Sequence, residues 1–224
     1  MTTLSTSPVA PLLARLFADA DASTARLRAL RANASPDAAR AAQGSDYRNF
    51  YLNQAKDIHL PVSAQTGNLL YMLARSTGAR HIVEFGTSFG ISTIFLAAAL
   101  KDNGGGTLIG SEFEPGKVAQ ARENLKTAML AQFVDIRDGD ALETLGRDLP
   151  TAIDLVLLDG AKSLYPKVLE LLEPRLRVGA LVLADNADMC PEYVARVRKP
   201  DGGYLSVAVA DDVELSMKLA PAAA

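Results

Sequence analysis

A single cysteine, Cys190, stands among 224 residues. No disulfide can form within the chain, and a reducing, cytoplasmic setting is expected. No stretch approaches the ~18 uninterrupted apolar residues of a membrane span. The opening residues, MTTLSTSPVAPLLARLF, place no basic segment ahead of their short apolar run, so no secretory signal is expected. Positive charge is not in excess: 23 Lys and Arg against 26 Asp and Glu leave a formal net charge of −3. That balance gives no electrostatic reason to expect nucleic acid as a partner. There are only two histidines, His59 and His81. His81 opens a strand-like run and reads as structural, and His59 lies in a loop. No internal repeat is evident. The rest, 49% hydrophobic and 22% charged, is ordinary for a globular protein. The length fits one domain with a sizeable core, taken here as 1–224 with a helical extension over 1–56 and a core over 57–224.

The chain is organised around residues 82–93, IVEFGTSFGIST. Ile82 to Phe85 is a β-branched and aromatic run typical of a buried strand. Gly86 allows a sharp turn, and Gly90 is read as letting the next helix pack close to the strand. Ser88, Ser92 and Thr93 bring hydroxyls to the start of that helix. A strand, a glycine turn and a helix N-terminus form a cradle for a nucleotide-like ligand. A dinucleotide fingerprint would be G-x-G-x-x-G. This chain has G-x-x-x-G, with Ser88 at the second glycine's place. Glu84, at the strand's end, would repel phosphate and could hold an ammonium. Both features argue against an NAD-linked oxidoreductase and for S-adenosylmethionine, a cationic sulfonium with an amino-acid tail.

Residues 1–10 read as a loose tail, and 11–32 as a helix from the spacing of Leu12, Leu13, Leu16, Phe17, Leu27 and Leu30. Ser35-Pro36-Asp37 starts a short helix to about Gln43, Tyr47 to Lys56 is another possible helix, and 57–61 is a loop. Ser63 caps a helix to about Ser76, which Gly78 ends. Strands are then expected at 81–85, 107–112, 133–137, 153–158 and 180–185. Helices are expected near 90–101, 115–129, 141–147 and 163–175. The strands are almost continuously apolar, as in a parallel sheet covered on both faces. Tyr204–Ala210 and Val213–Leu219 flank only Asp211-Asp212, which requires an antiparallel hairpin. The expected fold is α/β: a mostly parallel seven-stranded sheet of the Rossmann-like methyltransferase kind, with a C-terminal antiparallel hairpin and extra N-terminal helices.

The carboxyl ends of parallel strands share one edge, where such folds bind ligands. Glu112 ends the second strand and suits a ribose diol, or is a solvated acid. Asp140, after the third, either meets the ligand with Ala141 or caps the next helix. Asp159 follows the fourth strand, and Asp185 and Asn186 follow the fifth. Two carboxylates and an amide carbonyl make an all-oxygen set suited to Mg²⁺, although strand-end aspartates also serve merely as caps. Met189, Tyr193 and Tyr204 either line an aromatic pocket or simply pack, and nothing marks Cys190 as a nucleophile.

Together, VEFGTSFGIST, GSEFEP, GDALETL, LLDGAKSLY and LADNAD resemble the metal-dependent catechol and caffeoyl-CoA O-methyltransferases, from about Leu60 onward. The resemblance implies a S-adenosylmethionine loop at Glu84, Gly86, Thr87, Ser88 and Ser92. It implies a backbone contact to the cofactor's amino-acid end at Val62, a ribose acid at Glu112 and an adenine-side contact at Ala141. Asp159, Asp185 and Asn186 match the family's metal ligands, for Mg²⁺ or else Mn²⁺ or Ca²⁺. Lys162 matches its catalytic lysine. A lysine near a helix start opposes the helix dipole, which favours a specific role for it over a surface one. The implied reaction is methyl transfer to a hydroxyl of a small catechol-type acceptor by a homodimer, with the N-terminal helices as a possible interface. A natural-product or sugar acceptor, or a non-catalytic cofactor-binding protein, are the alternatives. Gly160-Ala161 departs from the plant members, which have an acid there, and ADMCPEYVARVRKPDGG matches the family poorly.

Overall fold

Seven strands pair in the order β3-β2-β1-β4-β5-β7-β6. They are β1 (His81–Phe85), β2 (Thr107–Glu112), β3 (Val134–Asp138), β4 (Ile153–Leu158), β5 (Leu176–Ala184), β6 (Tyr204–Ala208) and β7 (Glu214–Lys218). The first five are mutually parallel, and β7 runs antiparallel between β5 and β6. The computed structural model describes residues 1–33, 47–49, 52–53 and 55–220, with the side chains of 24–33 and 47 left aside. Strand order reverses between β1 and β4. A crevice must open there at the strands' carboxyl ends, because the connections leave to opposite faces.

The helices are α1 (Val9–Asn33), α2 (Tyr47–Asn49), α3 (Ala64–Ser76), α4 (Ile91–Asp102), α5 (Pro115–Thr127), α6 (Ala141–Thr144), α7 (Tyr165–Leu172) and α8 (Pro191–Val197). Alternation along β4 shows how the two faces are covered. Val156 and Leu158 pack with Tyr165, Leu169 and Tyr193, beneath α7 and α8. Leu155 and Leu157 pack with Leu70, Leu96 and Leu100, beneath α3 and α4. Outside α4 and α5 lies a further layer, in which Val9, Leu12, Leu13 and Leu16 of α1 meet Ile94, Phe95, Ala121 and Leu125. The first half of the apolar stripe of α1 is thus packed within the chain. Among the described residues, no helix is long and apolar enough to cross a membrane.

Several expectations are corrected. Residues 1–10 are not a loose tail. Thr3–Ser5 forms a 3₁₀ turn, and Asp102, at the end of α4, accepts from the Thr3 amide (2.9 Å), the Thr3 hydroxyl (2.6 Å) and the Tyr71 hydroxyl (2.6 Å). Such polar tethers between distant segments leave no periodic trace in sequence. Strand β5 begins at Leu176, four residues early, because the chain pairs Leu176 with Ile153 before a register shift. Helix α6 is a single turn, and α7 is flanked by 3₁₀ turns at Lys162–Leu164 and Glu173–Arg175. The helix expected to end near Gln43 lies outside the described residues, and of Tyr47 to Lys56 only part is described. Ser63 does cap α3, its hydroxyl accepting from the Thr66 amide at 3.0 Å.

Candidate active site at the switch point

Gly86 is glycine for two reasons. Its φ is +98°, and a Cβ there would lie 2.6 Å from the Asp159 carbonyl oxygen. The turn after β1 thus presses directly on the end of β4. Gly90 has φ +86° and caps α4, but what an added Cβ would meet is Ala121 of α5, at 3.4 Å, rather than the strand. Ser88 stands where a dinucleotide fold has its second glycine, and it does take a left-handed conformation, φ 49°. Residues 86–89, Ile91 and Ser92 line a cleft. Residues 59–61 and Asp159 also line it, with the His59 ring stacked on Phe89 at 3.9 Å.

Glu84 lies beneath this lining and is wholly buried. Its carboxylate accepts from Ser92 (2.7 Å), Thr93 (2.6 Å) and Thr87 (3.0 Å). Burial pushes its pKa up to about 7, against the pull of those three hydroxyls. In this arrangement Glu84 braces the loop from below. Glu112, ending β2, accepts from the backbone amides of Ser88 (2.7 Å), Phe113 and Glu114 (2.9 Å each). It therefore ties the end of β2 to the glycine loop at Ser88. Asp140 caps α6 through the Leu142 amide at 2.9 Å and pairs with Arg48, and Ala141 is buried behind it. The capping half of its expected role is present. Val62 is buried next to the lining residues 59–61.

The ends of β4 and β5 bring the remaining acids together. Asp185 is buried and Asp159 nearly so, and the charge of Asp159 raises the pKa of Asp185. For Asp185, burial first and then Asp159, with Asp212 and Asp188 adding, push the carboxyl up to about 7. Asp159 is raised by burial and drawn back by Lys162, whose ammonium donates to Asp159 Oδ1 at 2.8 Å. Asn186 follows in a left-handed conformation, φ 50°. Its Nδ2 donates to Asp212 Oδ2 at 3.2 Å, and Asp212's carbonyl accepts from the Ala187 amide at 2.7 Å. Tyr165 holds the Asp185 carbonyl from behind at 2.7 Å.

The donor set fits a divalent cation. Asp159 and Asp185 are close enough for one charge to raise the other's pKa, and the amide oxygen of Asn186 would complete an all-oxygen set. Among the described residues, no group of three or more His, Cys, Asp or Glu is gathered as a metal site. The set here reaches three only through the amide of Asn186.

Two participants escaped the sequence. Lys117, on the first turn of α5, is buried, with its ammonium 5.4 Å from the Phe89 ring. Burial lowers its pKa, while Glu112, Glu114, Asp159 and Asp57 sustain its charge. The signal was available, since a lysine in a first helical turn opposes the dipole just as Lys162 does. Asp212 reaches the site only because β7 inserts beside β5, and no local pattern encodes that.

A family profile described as "Methyltransferase domain" matches residues 83–187, a little under half of the chain. The chain is similar to catechol O-methyltransferases of Niastella koreensis (35% identity over 130 residues, 57% of this chain and 58% of that one) and of Mycobacterium tuberculosis (35% over 127 residues, 57% of each). It thus spans under three fifths of the length of these curated relatives. Among solved structures it resembles the O-methyltransferase TomG of Streptomyces achromogenes, involved in tomaymycin synthesis and solved with S-adenosylmethionine. That likeness has 25% identity and a TM-score of 0.62, over 88% of this chain and 96% of the other. The profile match runs from β1 to just past the Asp185–Asn186 turn, and the chain has the Rossmann-like methyltransferase fold that it shares with the TomG structure.

Proposed function

We propose that this protein is an S-adenosylmethionine-dependent O-methyltransferase that uses a divalent cation, Mg²⁺ in the first instance, to methylate a hydroxyl of a small catechol-type aromatic acceptor. One observation carries the reading. The glycine-turn cleft and the acid–amide set meet at Asp159, which lines the first and belongs to the second. Relatives named catechol O-methyltransferases, and a similar structure solved with S-adenosylmethionine, support it.

When bound, the sulfonium supplies an activated methyl group, and a divalent cation makes vicinal hydroxyls more acidic and fixes their orientation. The protein's part is alignment and proton removal. Glu112 and the 86–92 loop hold the nucleoside, and Asp159, Asp185 and Asn186 would hold the cation. Lys162 sits against Asp159 at 2.8 Å. A cation placed among those ligands would weaken that contact and favour the neutral amine. Nζ then takes the proton of the acceptor hydroxyl as general base. A cytoplasmic homodimer belongs to the same proposal. Leu205 and Val207, exposed on the sheet's edge strand β6, support the dimer.

The test is Lys162→Met. Turnover should fall at least ~100-fold while S-adenosylhomocysteine affinity stays within about threefold. A variant that keeps its turnover removes Lys162 from the mechanism.

A further inference from the structure

Asp212 meets the acid–amide set from a pair of strands that supplies none of its ligands. It lies in the connection between β6 and β7, which the Val209 amide closes by donating to the Val213 carbonyl at 2.9 Å. Two contacts join it to the turn after β5. Its backbone carbonyl accepts from the Ala187 amide at 2.7 Å, and its Oδ2 accepts from Asn186 Nδ2 at 3.2 Å. One contact ties the two backbones together, and the other ties the side chains. Asn186 itself sits in the left-handed region, φ 50°, which asparagine tolerates better than most residues.

The carboxylate decides which way the amide faces. An asparagine side chain has a donor end and an acceptor end, and an ionised carboxylate only accepts. Beside Asp212 the amide must point its nitrogen at the carboxylate, because the flipped amide would set oxygen against oxygen. Oδ1 is then the end left for another partner. A hard divalent cation takes oxygen ligands, so the contact with Asp212 presents the end that a cation needs. A cation on Oδ1 would polarise the amide and strengthen the Nδ2–H donor, so each bond supports the other.

Among the described residues, Asp159, Asp185 and Asp212 are not gathered into a three-acid metal site. Asp212 is therefore placed to act through Asn186 rather than on a cation directly. Its charge does reach Asp159 and Asp185, which makes simple electrostatics the rival explanation for any effect it has.

We infer that Asp212 is a positioning residue for the cation site, fixing the Asn186 amide with its oxygen presented as the ligand. The inference rests on the reading of Asp159, Asp185 and Asn186 as a cation set. It gives the C-terminal hairpin a part in that site.

Calorimetric titration with Mn²⁺ tests this. Asp212→Ala keeps the backbone carbonyl and removes the acceptor, and Mn²⁺ should bind about tenfold more weakly, the usual worth of an outer-shell partner. Asp212→Asn removes the same charge but keeps an oxygen for Nδ2, and it should bind Mn²⁺ at least about fivefold more tightly than Asp212→Ala. Asn186→Asp has no amide to orient, so adding Asp212→Ala to it should weaken Mn²⁺ no further. If Asp212→Ala does not fold, Asp212→Val replaces it. An Asp212→Ala protein within about twofold of the wild type overturns the inference while the cation reading stands. So does an Asp212→Asn protein as weak as Asp212→Ala, since charge alone would then explain the loss. An equal loss in the Asn186→Asp background overturns it too. A wild type that binds no Mn²⁺ overturns the cation reading and the inference together.

Discussion

Replacing Glu84 by Gln should make the protein less stable in acid and more stable in mild alkali. Glu84 is fully buried, with a pKa pushed up to about 7 by that burial, from an ordinary value of 4.5. At low pH both folded and unfolded chains hold the proton, and burial of the neutral acid costs little. Between 4.5 and about 7 the unfolded chain has lost its proton and the folded chain keeps it. Stability therefore falls as pH rises through this window and levels off above it. The shift corresponds to roughly 3 kcal/mol at about 1.36 kcal/mol per unit. Glutamine removes that dependence. Its amide must donate where the carboxyl accepted, and one of the Ser92, Thr87 and Thr93 hydroxyls must turn to accept, at about 1 kcal/mol at every pH. Subtracting the wild-type unfolding free energy from that of Glu84→Gln should give about −1 kcal/mol near pH 3.5, close to zero near pH 5 and about +2 kcal/mol near pH 8. Urea unfolding of both proteins across that range measures it, and titrating groups common to both cancel in the difference. A difference that stays constant with pH would refute the buried-acid reasoning.

Other consequences follow from the same structure. Gly86→Ala should cost more than ~2 kcal/mol and lower the thermal midpoint, because positive φ and the Asp159 backbone both oppose a Cβ. Tyr71→Phe removes one of three bonds to Asp102 and should cost about 1–2 kcal/mol in urea unfolding, loosening the attachment of the N-terminal turn. Asp185→Asn should abolish Mn²⁺ binding followed by calorimetry, and retained Mn²⁺ affinity would remove Asp185 from the cation set. Light scattering at micromolar concentration should give twice the 23.7 kDa chain mass, and a monomer mass would end the dimer proposal.

The strands and the glycine turn were legible because their physics is local. Apolar runs of strand length, Pro115 opening a helix, and Gly86 and Gly78 where φ must be positive each leave a mark within a few residues. The alignment of Asp159, Asp185 and Asn186 was legible one step further, since parallel strands force their carboxyl ends onto one edge. What escaped depends on contacts between distant segments. Asp102 ties down the Thr3 turn across 99 positions, Ser23 pins His59 across 36, and Asp212 meets Asn186 only after β7 enters the sheet. Glu84 was placed correctly at the strand's end, but its three hydroxyl partners appear only once the loop folds back over it.

The central claim is tested most directly by methyl transfer from labelled S-adenosylmethionine to caffeic acid, with Mg²⁺ and again with EDTA. The account predicts transfer with Mg²⁺ that EDTA abolishes. Transfer that survives EDTA would contradict it, leaving Asp159, Asp185 and Asn186 without the cation they are proposed to hold.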